Sequence, residues 1–348
     1  MKSVPLSILS LSLVGLLAPS TFAGPDEHTH DHAHEHAHHD EAHPSLKDLL
    51  PPMNKPDLWI GSEAPDMTIA KYLKGEAVGA FDPDHTYVVE FWATWCGPCI
   101  AAFPHLSELQ EQYDGDVTFI GVNIWERTEG DERMNQVERF VENQGDRMGY
   151  TVAIEDGTSM ATNWMRPAGQ NAIPAAFIVQ EGKIAWMGHP MALDGTLEAI
   201  AEGEYDIEHA AKQAWDERIA QAGVQTFHGA LCAEDWDKAL ELGEALANEM
   251  FSDNAGSLNM IAWYALSSED APQSIQSFAL RSAAQACKLT DWKDWMALDT
   301  YARGMFVTGD SNSAVKFQKK AIELAKQDER VNEEILSQLR ETLDEYEH

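Results

Sequence analysis

One stretch limits what this chain can become more than any other: Glu90-Phe91-Trp92-Ala93-Thr94-Trp95-Cys96-Gly97-Pro98-Cys99. The apolar run at residues 87–91 leads into it and reads as a buried strand. Ile100, Phe103, Leu106 and Leu109 follow at helical spacing. The two cysteines therefore sit at a strand-to-helix turn. Cys96 falls at the helix N-terminus, where backbone N–H groups and the helix dipole favour an anion. That setting lowers a thiol pKa and makes the first cysteine a thiolate nucleophile. Cys99, one turn on, is placed to displace whatever becomes attached to Cys96, so the pair reads as a redox device. A bare CxxC is also half a zinc site, but one framed by this strand, Trp95 and Pro98 rarely is.

The run Phe91-Trp92-Ala93-Thr94-Trp95-Cys96-Gly97-Pro98-Cys99, then Pro104, resembles thioredoxin and, in its longer pattern, exported thioredoxin-like proteins of the TlpA/ResA type. Ile173-Pro174, just before the apolar run 175–179, extends the likeness. The match spans about residues 59–201. It implies a thioredoxin-like sandwich and a protein disulfide reductase that exchanges the Cys96/Cys99 dithiol with a protein disulfide substrate. It also implies a cis bond before Pro174, because the residue ahead of that proline offers its backbone to a docked partner. Trp95, Gly97, Pro98, Ile173 and Gly188 then form an apolar docking face, with Trp186 and His189 at its border or simply in core and loop. Glu90 matches the place of thioredoxin's buried acid, where a carboxyl taken out of water has a raised pKa and can shuttle the proton of Cys99; a salt-bridged or surface glutamate is the other reading. In the ResA type the functional acid follows the second cysteine by three residues. That position here is Ala102, a departure that moves the role to Glu90.

The periodicity along residues 59–204 supports the same α/β class. Residues 117–124 form a second continuous apolar strand, as a parallel strand buried on both faces would be. Short strands are expected at residues 67–70 and 152–154. Helices are expected at residues 100–113, around Met134, Val137, Phe140 and Val141, at 159–165 and at about 194–202. Glu181-Gly182 between two apolar runs signals a hairpin. Strands alternating with helices around a CxxC give an α/β sandwich.

After about residue 204 the strand signals stop, and residues 205–348 carry helical spacing throughout. Residues 297–302, a turn at Gly309-Asp310 and residues 314–324 look like one tetratricopeptide repeat, with weaker partial copies upstream. The all-α domain is read as tetratricopeptide-like. It either presents a concave surface to a protein partner or is a plain bundle. Cys232 and Cys287 fall in helical pattern as small apolar residues or as a second disulfide.

The first 23 residues read as a secretory signal, with Lys2, an apolar core and Thr21-Phe22-Ala23 as a cleavage site. Export to a bacterial periplasm follows, and there a reducing pair needs a membrane-held thiol protein as electron donor. Residues 24–58 have no apolar period and read as a disordered linker. Eight of the 14 histidines lie in it, among them His28, His30, His32, His34, His36, His38 and His39. Such a tract can wrap Zn, Cu or Ni, or be a solubilising spacer. It supports the competing reading of a metal-binding or metal-delivery protein, whereas the dithiol cycle requires no cofactor. With 24 Lys and Arg against 58 Asp and Glu, a formal charge of −34 argues against nucleic acid as a partner.

Overall fold

A computed structural model describes residues 44–268 and 270–348. The signal-like leader and the histidine tract lie outside them. The described residues divide into two compact units, Met53–Glu217 and residues 44–52 with Arg218–His348.

The first unit is built on a six-stranded mixed sheet. Its strands are β1 (Ile69–Lys74), β2 (Thr86–Trp92), β3 (Val117–Asn123), β4 (Thr151–Glu155), β5 (Ala175–Gln180) and β6 (Lys183–Gly188). The order across the sheet is β1-β4-β3-β2-β5-β6. β2, β3 and β4 run parallel, and β5, β6 and β1 are antiparallel to their neighbours. Every residue of β2 is buried, as expected of a central strand with helices over both faces. Alternation along it sends Val88 and Trp92 into one core cluster and Tyr87, Val89 and Phe91 into another. The β5–β6 hairpin turns at Glu181 and Gly182 with φ of 54° and 72°, the pair of positive values that a two-residue hairpin needs.

Helix α2 (Gly97–Gln112) follows β2 and α3 (Gly130–Gln144) follows β3. Pro104 lies inside α2 and has no N–H for the Ile100 carbonyl. That carbonyl instead accepts from Arg147 Nη2 at 2.9 Å. Residues 159–165 give a π-helical turn at Ala161–Met165, and the last helix of the sheet region is α4 (Asp194–Ala201). β1 starts later than the spacing predicts and runs longer. Bulges against β4 break its alternation, which hides it from a period-two reading.

The second unit contains only helices among its described residues: α1 (Leu46–Leu49), the later part of α5 (Ile207–Cys232), α6 (Trp236–Ala245), α7 (Ala255–Leu266), α8 (Gln273–Leu289), α9 (Trp295–Val307), α10 (Ser311–Ala325) and α11 (Glu333–Glu347). α9 and α10 pack through fully buried Ala302, Ala314 and Ala321, with the turn at Gly309 (φ 95°) and Asp310 capping α10. Cys287 is buried and Cys232 exposed; both are free thiols, so no second disulfide joins them.

Two boundaries differ from the sequence reading. The α/β unit continues past residue 204 to Glu217, inside α5, because Tyr205 donates to the Ala185 carbonyl at 2.7 Å and Trp215 meets Trp59 edge-on at 6.1 Å. The stretch read as the end of the linker is also folded at residues 46–49. Leu46 is 0% exposed, its N–H donates to Glu249 Oε1 at 3.0 Å, and its methyls crowd Gly223 so closely that an added Cβ would sit 3.1 Å away.

Candidate active site

The C-terminal ends of the parallel strands are where open α/β sheets gather their functional groups. β2 ends at Trp92, and the chain turns through Ala93, Thr94 and Trp95 to Cys96, which caps α2. Cys96 and Cys99 are joined as a disulfide. The Cys99 N–H points at Cys96 Sγ, 3.2 Å away, which puts the first sulfur on the unsatisfied donors of the helix start. Cys96 is 3% exposed and Cys99 0%. The spacing predicts a reachable first sulfur; the oxidised pair instead lies just below the surface. The rim over it is open: Trp95 is 43% exposed, and Gly97 and Pro98 are exposed.

The Ile173–Pro174 bond is cis. Ala175 pairs with Phe91 in the antiparallel register of β5 and β2, so Pro174 falls beside Trp92 at the strand end that feeds the cysteines. Ile173 and Pro174 are half-buried. Gly188 pairs with Ala176 and lies under the Trp186 ring, where an added Cβ would be 2.6 Å from Cζ2. His189 is exposed and closes a local turn by accepting from the Met191 N–H at 3.2 Å. Ala102 is buried and supplies no acid at that position.

Glu90 sits in mid-β2 between Gly121 of β3 and Ala176 of β5. It points to the same sheet face as Trp92, because strand residues two apart share a face. Its side chain is 1% exposed, and neither carboxyl oxygen has a hydrogen-bond partner among the described residues. Burial alone pushes its pKa well above the ordinary carboxylate range. The space it occupies exists because position 121 is glycine. A Cβ there would lie 2.8 Å from Tyr150 Cε2, 3.2 Å from Trp92 Nε1 and 3.4 Å from Glu90 Oε2. The Tyr150 hydroxyl and the Trp92 N–H are also buried without partners. Burial, and then the neighbouring Glu90, push the Tyr150 phenol well up. A carboxyl, a phenol and an indole N–H thus converge over one glycine.

The loop between β3 and α3 brings in residues that the sequence reading passes over. Glu126 receives four donors: Thr94 N–H at 2.6 Å, Thr94 Oγ1 at 2.8 Å, Asn123 Nδ2 at 2.7 Å and Gln136 Nε2 at 3.4 Å. Gln136 also donates to Thr94 Oγ1 at 2.9 Å. Trp125, at φ 55°, accepts from Trp95 Nε1 through its carbonyl at 2.9 Å. The Arg127 guanidinium stands 5.3 Å from the Trp95 ring centroid. The one available signal was a polar Asn123 closing a mostly apolar strand at the C-terminal strand ends, where sites collect.

The histidines proposed as metal ligands lie outside the described residues. Among the described residues, no group of three or more His, Cys, Asp or Glu side chains is arranged to hold a metal ion, and no helix is long and apolar enough to cross a membrane.

Residues 60–199 match the Redoxin family. Protein FixW of Rhizobium leguminosarum is 26% identical over 149 residues, covering 42% of this chain and 67% of that protein. The thiol-disulfide oxidoreductase ResA of Bacillus thuringiensis is 29% identical over 133 residues, covering 38% of this chain and 70% of that protein. Among solved structures, the thioredoxin domain of a thiol-disulfide oxidoreductase from Bacteroides vulgatus aligns over 41% of this chain and 98% of its own, at 24% identity and a TM-score of 0.34.

Proposed function

We propose, on the premise that residues 60–199 of this chain are a Redoxin domain of the thiol-disulfide oxidoreductase kind, that the protein reduces disulfides in exported proteins through Cys96 and Cys99. The observation that carries this reading is the Cys96–Cys99 pair at the cap of α2, with Cys96 Sγ on the Cys99 N–H and an exposed Trp95-Gly97-Pro98 rim above it.

In the reduced protein Cys96 is the nucleophile. Its thiolate attacks one sulfur of the partner's disulfide. A Cys96–partner bond forms as the partner's S–S bond breaks, and the first partner sulfur leaves as a thiolate and takes a proton. Cys99 then gives its proton to Glu90 and attacks Cys96 Sγ, expelling the second partner thiolate. Two electrons pass to the partner, the proton held on Glu90 passes to the expelled thiolate, the first partner sulfur takes its proton from water, and the Cys96–Cys99 disulfide is the product. The donors at the helix start favour the thiolate of Cys96. A buried acid with a raised pKa suits a proton acceptor working near neutrality. During attack the partner strand lies against Trp95, Gly97, Pro98 and Gly188 and pairs with the backbone ahead of Pro174, at Ile173. A membrane-held thiol protein returns the pair to the dithiol. No cofactor enters the cycle. The histidine tract takes up Zn, Cu or Ni without bearing on it, and the helical unit offers a surface to a protein partner.

The test is substitution of each cysteine. Cys96→Ser should lower protein-disulfide reduction by at least about 1000-fold, a loss of the size expected when a covalent nucleophile is removed. Cys99→Ser should accumulate a stable mixed disulfide at Cys96. Reduction by Cys96→Ser at the wild-type rate would overturn the assignment.

A further inference from the structure

The loop that clamps the active-site turn also holds a cation beside it. Arg127 is exposed, its guanidinium lies over the Trp95 ring, and Trp95 is next to Cys96 in the chain. The ring under the guanidinium and the loop that carries Arg127 are both anchored. The indole is fixed by Nε1 donating to the Trp125 carbonyl, and the loop backbone is fixed by the four donors converging on Glu126. Two of those donors belong to Thr94, so the loop is tied directly to the turn that carries the redox pair.

The charge of Arg127 is unspent. Among the described residues it makes no ion pair, although the chain has 58 acidic residues against 24 basic. Glu126, its neighbour, is turned inward onto Thr94, Asn123 and Gln136. Glu129 is exposed at the start of α3 and makes no bond to it. Stacking on an aromatic face leaves the N–H edge of a guanidinium open, and that edge matches a carboxylate. The surface as a whole repels acidic partners, so a local cation at the rim has a discriminating effect.

Resting on the oxidoreductase reading above, we infer that Arg127, held on Trp95, is a specificity residue that selects target disulfides with an acidic side chain close to the attacked cysteine.

The experiment uses the full chain, pre-reduced, in single-turnover reduction of two disulfide peptides that differ only in Glu or Lys beside one cysteine. The quantity read is the Glu-to-Lys rate ratio. Comparing this ratio between variants cancels the field of the rest of the surface. The ratio should fall about fivefold in Arg127→Gln, the size of one exposed ion pair. It should fall further in Arg127→Glu, so that charge inversion acts in the opposite sense to the native residue. A ratio that is the same in wild type, Arg127→Gln and Arg127→Glu overturns this inference and leaves the oxidoreductase reading standing. Failure of the reduced wild-type chain to reduce either peptide overturns both.

Discussion

Replacing Glu90 by Gln gives the sharpest test of the environment beneath the disulfide. The carboxyl is 1% exposed and neither oxygen finds a donor, so its charged form loses water without replacement. Burial raises its folded pKa well above the ordinary value. Below the unfolded pKa of about 4.3, folded and unfolded chains both hold the proton. Between that pH and the raised folded pKa, the native state keeps a proton that the unfolded state has released. Stability contributed by the neutral acid is therefore complete at low pH and is lost as pH rises, at up to about 1.4 kcal/mol per pH unit. Glutamine cannot titrate, so the variant lacks this slope.

The expected result is a pH-dependent difference, not a constant one. At pH 5 the glutamine amide leaves its own donors unpaired in the same apolar space, and wild type should be more stable by about 1–3 kcal/mol. Between pH 5 and 7 the gap should close by up to about 2.7 kcal/mol, bringing the two curves together or across each other. Glu155 is also raised, mainly by burial, and Asp299 is pushed up to about 6 by burial, but both are present in the two proteins and cancel in the difference. Urea unfolding of the oxidised proteins at several pH values measures it, using the transition that the substitution moves. Parallel curves across that range would show that Glu90 titrates alike in folded and unfolded chains, which would refute the buried, donorless acid.

Two further outcomes follow from packing. Leu46→Ala should destabilise the helical unit by about 2–5 kcal/mol, since Leu46 is fully buried against Gly223; a shift under about 0.5 kcal/mol in urea unfolding would remove residues 44–50 from that core. In the oxidised protein a thiol reagent at pH 8 should titrate Cys232 quickly and Cys287 only on unfolding, because Cys287 is buried with its thiol pushed up to about 12; two fast thiols would contradict that packing.

Local pattern made the central sheet readable. Strands β2 and β3 are continuous apolar runs because both of their faces are covered, and the CxxC fixes the turn that follows. Glu90 was selected by the family likeness, at the place of thioredoxin's buried acid. The cis bond at Pro174 was reached the same way, since only the family likeness selected that proline. What stayed hidden depends on contacts distant in sequence. Trp215 joins the α/β unit through Trp59, and Leu46 joins the helical core through Gly223, yet neither sits in a repeating apolar pattern. The clamp on the active-site turn is of the same kind. Glu126 lies in a polar loop and meets Thr94 across 32 residues of sequence, a pairing that no local periodicity encodes.

The site holds two glutamates with opposite surroundings, and the contrast separates geometry from proton transfer. Four donors converge on Glu126, so its oxygens are occupied and its removal would strand the Thr94 N–H and the buried Asn123 amide. Glu90 has none, and the Tyr150 ring and the Trp92 indole N–H crowd the same Gly121 position as its Oε2, the Tyr150 hydroxyl and the Trp92 N–H lacking partners themselves. A carboxylate saturated with donors stabilises one shape of the turn. A carboxyl without donors stabilises no shape, but it can take and return a proton without first breaking hydrogen bonds. The first belongs beside the turn and the second beneath it, on the sheet face that α2 covers. Exchanging their surroundings would leave a rigid turn over a fixed charge, and the proposed cycle would then lack an acceptor for the proton of Cys99.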